Sequence, residues 1–100
     1  MVKHFVMFKL KETGNPQEQE KMATQVKKRF MKLPDLISGI KFYEIGINIS
    51  DSPAAYDLIL HSEFENIQEL NQYRKHPDHV KAVEDNKAFL TDMKVVDYQI

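Results

Sequence analysis

The chain has 100 residues, 42% hydrophobic and 29% charged, with a formal net charge of -1. That length holds one core, so a single domain over residues 1–100 is expected. Acidic and basic residues are interleaved, which argues against nucleic acid and against an anionic membrane surface as partners. With no cysteine, disulfides, thiolate zinc sites and thiol catalysis are excluded, in keeping with a reducing compartment. No stretch approaches the ~20 apolar residues of a membrane span, and the alternating opening segment does not read as a signal peptide. A soluble, cytoplasmic domain is the expectation.

Residues 2–11 alternate, with Val2, His4, Val6, Phe8 and Leu10 on one face and Lys3, Phe5, Met7 and Lys9 on the other. A period of two predicts a strand. Thr13-Gly14-Asn15-Pro16 then leads into a helix: Asn15 can cap, Pro16 suits the first helical position, and Glu18 completes the cap signature. Met22, Val26, Phe30 and Leu33 form one apolar stripe, and the helix stops before Pro34. Residues 39–49 predict a second strand, rich in β-branched and aromatic side chains. The turn cluster Ser50-Asp51-Ser52-Pro53 leads to a third strand over 55–64, antiparallel to the second because the connection is short. Asn66 to Glu69 repeats the cap signature, and Ile67, Leu70 and Tyr73 give a second helix its stripe. Pro77 cannot sit inside a helix but starts one well, so a break is expected there, with Val80, Val83 and the stem of Lys87 continuing beyond it. Residues 94–100 predict a fourth strand.

The order βαββαβ predicts an α+β, ferredoxin-like fold: a four-stranded antiparallel sheet with two helices on one face. Two helices cover only one face, yet the strands carry apolar residues on both. The economical solution is a homodimer packed sheet against sheet, with Leu58 and Leu60 assigned to its interface by alternation. A monomer with scattered surface apolar residues is the alternative.

Chemistry concentrates in Tyr73-Arg74-Lys75-His76-Pro77-Asp78-His79-Val80, where two of the four histidines flank the expected break. A metal site would need His76, Asp78 and His79 to converge. The simpler reading has His76 closing the first helical segment and His79 packed or hydrogen-bonded. Acid–base work suits His79 with Tyr73: imidazole takes a proton near neutral pH and a phenol can donate to a developing oxyanion. The competing reading makes Tyr73 a core residue with its hydroxyl at the rim. His4, alternating with Val6 and Phe8, reads as a hydrogen-bonded structural histidine, and His61 as structural or interfacial. Gly14, Gly39 and Gly46 are isolated, so no phosphate-binding loop or nucleophile elbow is present.

Taken jointly, the opening Val2-Lys3-His4, the strand Tyr56-Asp57-Leu58-Ile59-Leu60-His61-Ser62-Glu63-Phe64, the break motif from Tyr73 to His79 and the ending Val95-Val96-Asp97-Tyr98 resemble the stress-responsive α/β-barrel (Dabb) family over nearly the whole chain. The resemblance implies ferredoxin-like protomers that pair as dimeric α/β barrels. Many bacterial members of that family have no known activity, while plant members include stress-induced proteins and a polyketide (olivetolic acid) cyclase. For this chain it therefore implies a small-molecule-binding or stress-associated protein. The alternative is a cofactor-independent enzyme in which His79 is the general base, Tyr73 binds or polarises the substrate and His4 lines the same pocket. By analogy of fold alone, a monooxygenase-like activity is a further variant. No cofactor or metal is expected, and the expected ligand is small and apolar or phenolic. An enzyme would need a pocket of roughly 300 Å3 or more on which His79 and Tyr73 converge.

Overall fold

The computed structural model describes all residues, Met1–Ile100. Strand β1 (Val2–Leu10) is followed by helix α1 (Pro16–Met31), a single helical turn α2 (Leu33–Leu36), and strands β2 (Ile40–Ile47) and β3 (Leu58–Phe64). Helices α3 (Ile67–Lys75) and α4 (Pro77–Lys87) and strand β4 (Leu90–Gln99) complete the chain. The strands form one antiparallel sheet in the order β2-β3-β1-β4. This is the ferredoxin-like arrangement.

Local chemistry sets the helix starts. The Asn15 side chain accepts from the amides of Gln17 and Glu18, and the Asn66 side chain accepts from Glu69. Each cap satisfies donors that the first turn would otherwise leave bare. α1 does stop ahead of Pro34, but the chain then makes the unexpected turn α2, with Pro34 near its start. The rule that favours Pro16 and Pro77 at helix beginnings applies to Pro34 as well.

The core lies between the helices and one sheet face, where Val2, Val6, Phe8 and Leu10 of β1 are buried against Val26 and Phe30 of α1 and Leu70 and Tyr73 of α3. Three expectations need correction. Strands β2 and β3 are shorter than the sequence suggests, because residues 48–57 close on themselves: the Asn48 amide donates to the Asp57 carbonyl at 2.9 Å, and Ser50 and Ser52 make further turn bonds. Tyr56 thus leaves the strand, and its hydroxyl bonds Asp92. Leu58 and Leu60 lie on the helix side, 2% and 1% exposed, and not on an interface. Alternation separates two faces without saying which one the helices cover. Finally, Val80 faces outward, while Ala82 and Asn86 are buried and Val83 packs beside them. The helical phase restarts at Pro77, so the inward stripe of α4 runs from His79 through Ala82 and Val83 to Asn86.

The opposite sheet face carries Met7, Phe42, Ile59, Val96 and Tyr98, all exposed, with Phe5 stacked between His61 and Tyr98 at centroid separations of 4.4 and 5.8 Å. No helix covers it.

Candidate acid–base site beneath the helix break

The break between α3 and α4 is built from three substitutions of one hydrogen-bond partner for another. Pro77 has no amide hydrogen, so the His76 amide donates to the Tyr73 carbonyl and closes α3. The next amide, Asp78, would in a continuous helix donate to the Arg74 carbonyl four residues back. It donates instead to His76 Nδ1 at 3.1 Å, which makes His76 the cap of α4. The Arg74 carbonyl is thereby released, and His79 Nδ1 occupies it at 3.0 Å. A carbonyl can only accept, so His79 carries its proton on Nδ1 and presents a bare Nε2.

The sheet below contributes a polar row crossing all four strands. Tyr43 of β2 pairs in register with Ser62 of β3, Ser62 with His4 of β1, and His4 with Asp97 of β4. His4 is 4% exposed and Ser62 fully buried, its hydroxyl without a protein partner. His4 Nδ1 lies 2.5 Å from Asp97 Oδ1, and the other oxygen of Asp97 pairs with the Arg74 guanidinium. A carboxylate accepts, so His4 too carries its proton on Nδ1. The Tyr43 and Tyr73 hydroxyls are 3.0 Å apart.

Between row and helices lies a cavity of about 440 Å3, lined by His4, Tyr73, Arg74 and His79 together with apolar side chains from β1, β3, β4, α1 and α4. Along β1 its wall changes from His4 to Val6 to Phe8, about 13 Å at ~3.3 Å per residue, so one end is polar and the other apolar. Phe30, Val83 and Met93 belong to the apolar part, and Met93 and Val95 remain partly exposed, so the cavity opens beside β4.

Burial sets the protonation states. It lowers the His4 pKa from its ordinary value, outweighing the opposite pull of Asp97, and Arg74 adds to the lowering. His79 is lowered first by burial as well, against the Arg74 carbonyl, with His4, Arg74 and His76 as smaller contributors. Both rings are neutral at pH 7. Burial raises both phenols, Tyr73 to about 12 and Tyr43 further still, so both remain protonated. The arrangement offers two imidazoles ready to accept a proton or a hydrogen bond, beside a paired phenol and a closed Arg–Asp ion pair.

The structure brings His4, Tyr73 and His79 together: the Tyr73 ring centroid is 4.4 Å from that of His79 and 6.2 Å from that of His4. Tyr73 forms cavity wall with its ring, while its hydroxyl meets Tyr43. His76 and Asp78 do not converge with His79 on a metal site; the His76 ring is spent on the cap, and no cluster of three or more metal-ligating side chains forms. His61 lies on the opposite sheet face, between Phe5 and Phe42. Its Nε2 comes within 2.9 Å of Glu63 but too far off line for a hydrogen bond. Sequence reasoning missed Tyr43, Arg74 and Asp97. A lone carboxylate inside the apolar strand Val95-Val96-Asp97-Tyr98 was the available signal for Asp97; Tyr43 becomes visible only through the strand register, and Arg74 only through the packing of α3 over β4.

Comparison with known proteins identifies the family and the fold. A sequence model of the stress responsive A/B barrel domain (Dabb) matches residues 2–100. The chain belongs to the Dabb family. An uncharacterised Streptomyces coelicolor protein, SCO4036, is 32% identical over 99% of each chain. A crystal structure from Bacteroides fragilis, described as a dimeric protein of unknown function with a ferredoxin-like fold, is 31% identical over 99% of this chain and 95% of its own, with a TM-score of 0.87. A hydroxynitrile lyase from Passiflora edulis shares the fold at a TM-score of 0.79 and 16% identity, over 99% of this chain and 92% of its own.

Proposed function

We propose that this Dabb protein binds a small, largely apolar ligand bearing a phenol, enol or carbonyl group, and does so as a homodimer in the cytoplasm. The observation that carries the reading is that two histidines, each held at Nδ1 and each lowered in pKa by burial, line one 440 Å3 apolar cavity together with Tyr73. That volume suits a small organic molecule. Apolar walls supply affinity at roughly 25 cal/mol per Å2 of buried surface, and the imidazoles orient the one polar group. The closed Arg74–Asp97 pair leaves no spare charge, which favours a neutral ligand over a carboxylate. The family description supports a stress-associated role. Dimerisation is supported by the uncovered apolar sheet face and by the dimeric Bacteroides fragilis relative, and absence of cysteine is in keeping with a reducing compartment.

A second reading follows from the same geometry: cofactor-independent proton transfer of the polyketide-cyclase kind. His79 is the general base, oriented by the Arg74 carbonyl and neutral at working pH. Tyr73 assists, and His4 serves as a second acceptor. An imidazole held at one nitrogen with the other free is the form a base requires.

Calorimetric titration with an alkylphenol tests the binding reading. Wild-type protein should bind it, and Val83→Trp, which fills the cavity from α4, should abolish binding while retaining the native circular dichroism spectrum. Equal binding by both proteins, or none by wild type with any of a series of alkylphenols and β-diketones, would overturn it. Turnover of a β-polyketone that is lost in His79→Ala would favour the enzymatic reading.

A further inference from the structure

Arg74 touches both halves of the site by different atoms. Its backbone carbonyl accepts from His79 Nδ1, and its guanidinium pairs with the carboxylate that accepts from His4 Nδ1. We infer that Arg74 is the positioning residue of this cavity, holding both imidazoles in the same acceptor form: His79 through its carbonyl, and His4 through Asp97.

Each contact does separate work. The carbonyl is available because the helix break diverts the Asp78 amide to His76, so orientation of His79 depends on backbone geometry and survives a change of the Arg74 side chain. His4 is different. A carboxylate 2.5 Å from a buried imidazole favours a second proton on the ring, because an imidazolium–carboxylate pair removes an isolated buried charge. The guanidinium supplies the compensating positive charge from the other side of Asp97, so His4 has no need to take it up. With Arg74 present, Asp97 orients the His4 ring without protonating it.

The groups facing His4 from each neighbouring element permit this assignment. β4 contributes Asp97, α3 contributes Arg74 and Tyr73, α4 contributes His79, and β3 contributes Ser62. α1 adds only the apolar Phe30 to the cavity wall. Asp97 is the one acid among these groups and Arg74 the one permanent cation. Loss of the Arg74 charge therefore leaves His4 as the nearest group that can compensate the Asp97 carboxylate, by taking up a second proton. The consequence for the proposed ligand site is an uncharged polar end with two acceptor nitrogens, matched to the hydroxyl hydrogens of a neutral ligand. The inference concerns the cavity of the proposed function, but its test reads the rings directly, so failure to find a ligand leaves it standing or falling by itself.

The experiment is a pH titration of histidine-labelled protein by long-range 1H–15N NMR, which reports the tautomer and protonation of each ring. In wild type, His4 and His79 should both show the Nδ1-protonated neutral form at pH 7. In Arg74→Met, the His4 midpoint should rise by about one unit or more, while His79 keeps its tautomer and moves far less. Arg74→Lys should return His4 most of the way, because it restores the charge. If His4 is doubly protonated at pH 7 in wild type, or if its midpoint is the same in wild type and Arg74→Met, the assignment is wrong. Should Arg74→Met fail to fold, Asp97→Asn supplies the second reading: removal of the carboxylate should lower the His4 midpoint below wild type, and an unchanged midpoint would refute the linkage.

Discussion

Two neutral histidines, His4 buried and His79 partly buried, make this domain sensitive to mild acid. In the unfolded chain both titrate near 6.5, and in the folded protein both are held below that by burial. Between those values the unfolded state binds more protons than the folded one, so stability is fully present above about pH 6.5 and is lost as pH falls. At pH 5.5 an imidazole that stays neutral when folded costs at most about 1.4 kcal/mol, the free energy of one pH unit of differential protonation. Two such rings set a ceiling near 3 kcal/mol. His79 is only partly buried, so solvent screening reduces its share and a loss of about 2 kcal/mol is expected. For a 100-residue chain that lowers Tm by roughly 10 °C, at 4–8 °C per kcal/mol. Thermal and urea unfolding at pH 7.5 and 5.5, at one fixed protein concentration, would measure it. The double variant His4→Gln, His79→Gln should lose most of the difference. A wild-type midpoint equal at both pH values, or higher at 5.5, would refute the claim that these rings are held neutral.

The proposed homodimer should dissociate when a charge enters the uncovered sheet face: Ile59→Asp or Val96→Asp should sediment near the 11.7 kDa of one chain, while Leu58→Asp and Leu60→Asp should instead unfold the domain by burying an unpaired carboxylate in its core, a loss on the order of 5 kcal/mol. Dimeric Ile59→Asp and Val96→Asp proteins would count against the sheet-to-sheet pairing. Tyr43→Phe should cost about 1–3 kcal/mol in urea unfolding, because the Tyr73 hydroxyl, 1% exposed as a residue, loses its one protein partner; no change would mean that Tyr73 finds another. Asn66→Ala should cost about 1 kcal/mol through the lost cap on α3.

What could be read from the sequence was local. β1 was legible because its alternation is strict, α1 because Asn15-Pro16 announces its start, and the α3–α4 break because proline forbids an internal amide bond. The family resemblance added His4 to His79 and Tyr73. What was not legible depended on how distant segments meet. Leu58 and Leu60 alternate correctly, but only the packed helices say which face is inside. Tyr43, Ser62, His4 and Asp97 form one row only after three strand pairings bring them into register. The role of Arg74 follows from a carbonyl released by the proline and a carboxylate two strands away from β3, and neither leaves a signature in residue order. Val80 was misplaced because a helical restart resets the phase of the apolar stripe.

In the proposed site His79 serves the cavity, and its Nε2 is the group a ligand meets. The most direct measurement is the His79 Nε2 chemical shift during titration of the folded protein with an alkylphenol at pH 7.5. A saturable shift of His79 Nε2 is expected, and of His4 Nε2 with it, while the His76 and His61 resonances stay in place. A titration that moves His76 or His61 and leaves His79 unchanged, or that moves none of them at saturating ligand, would contradict it.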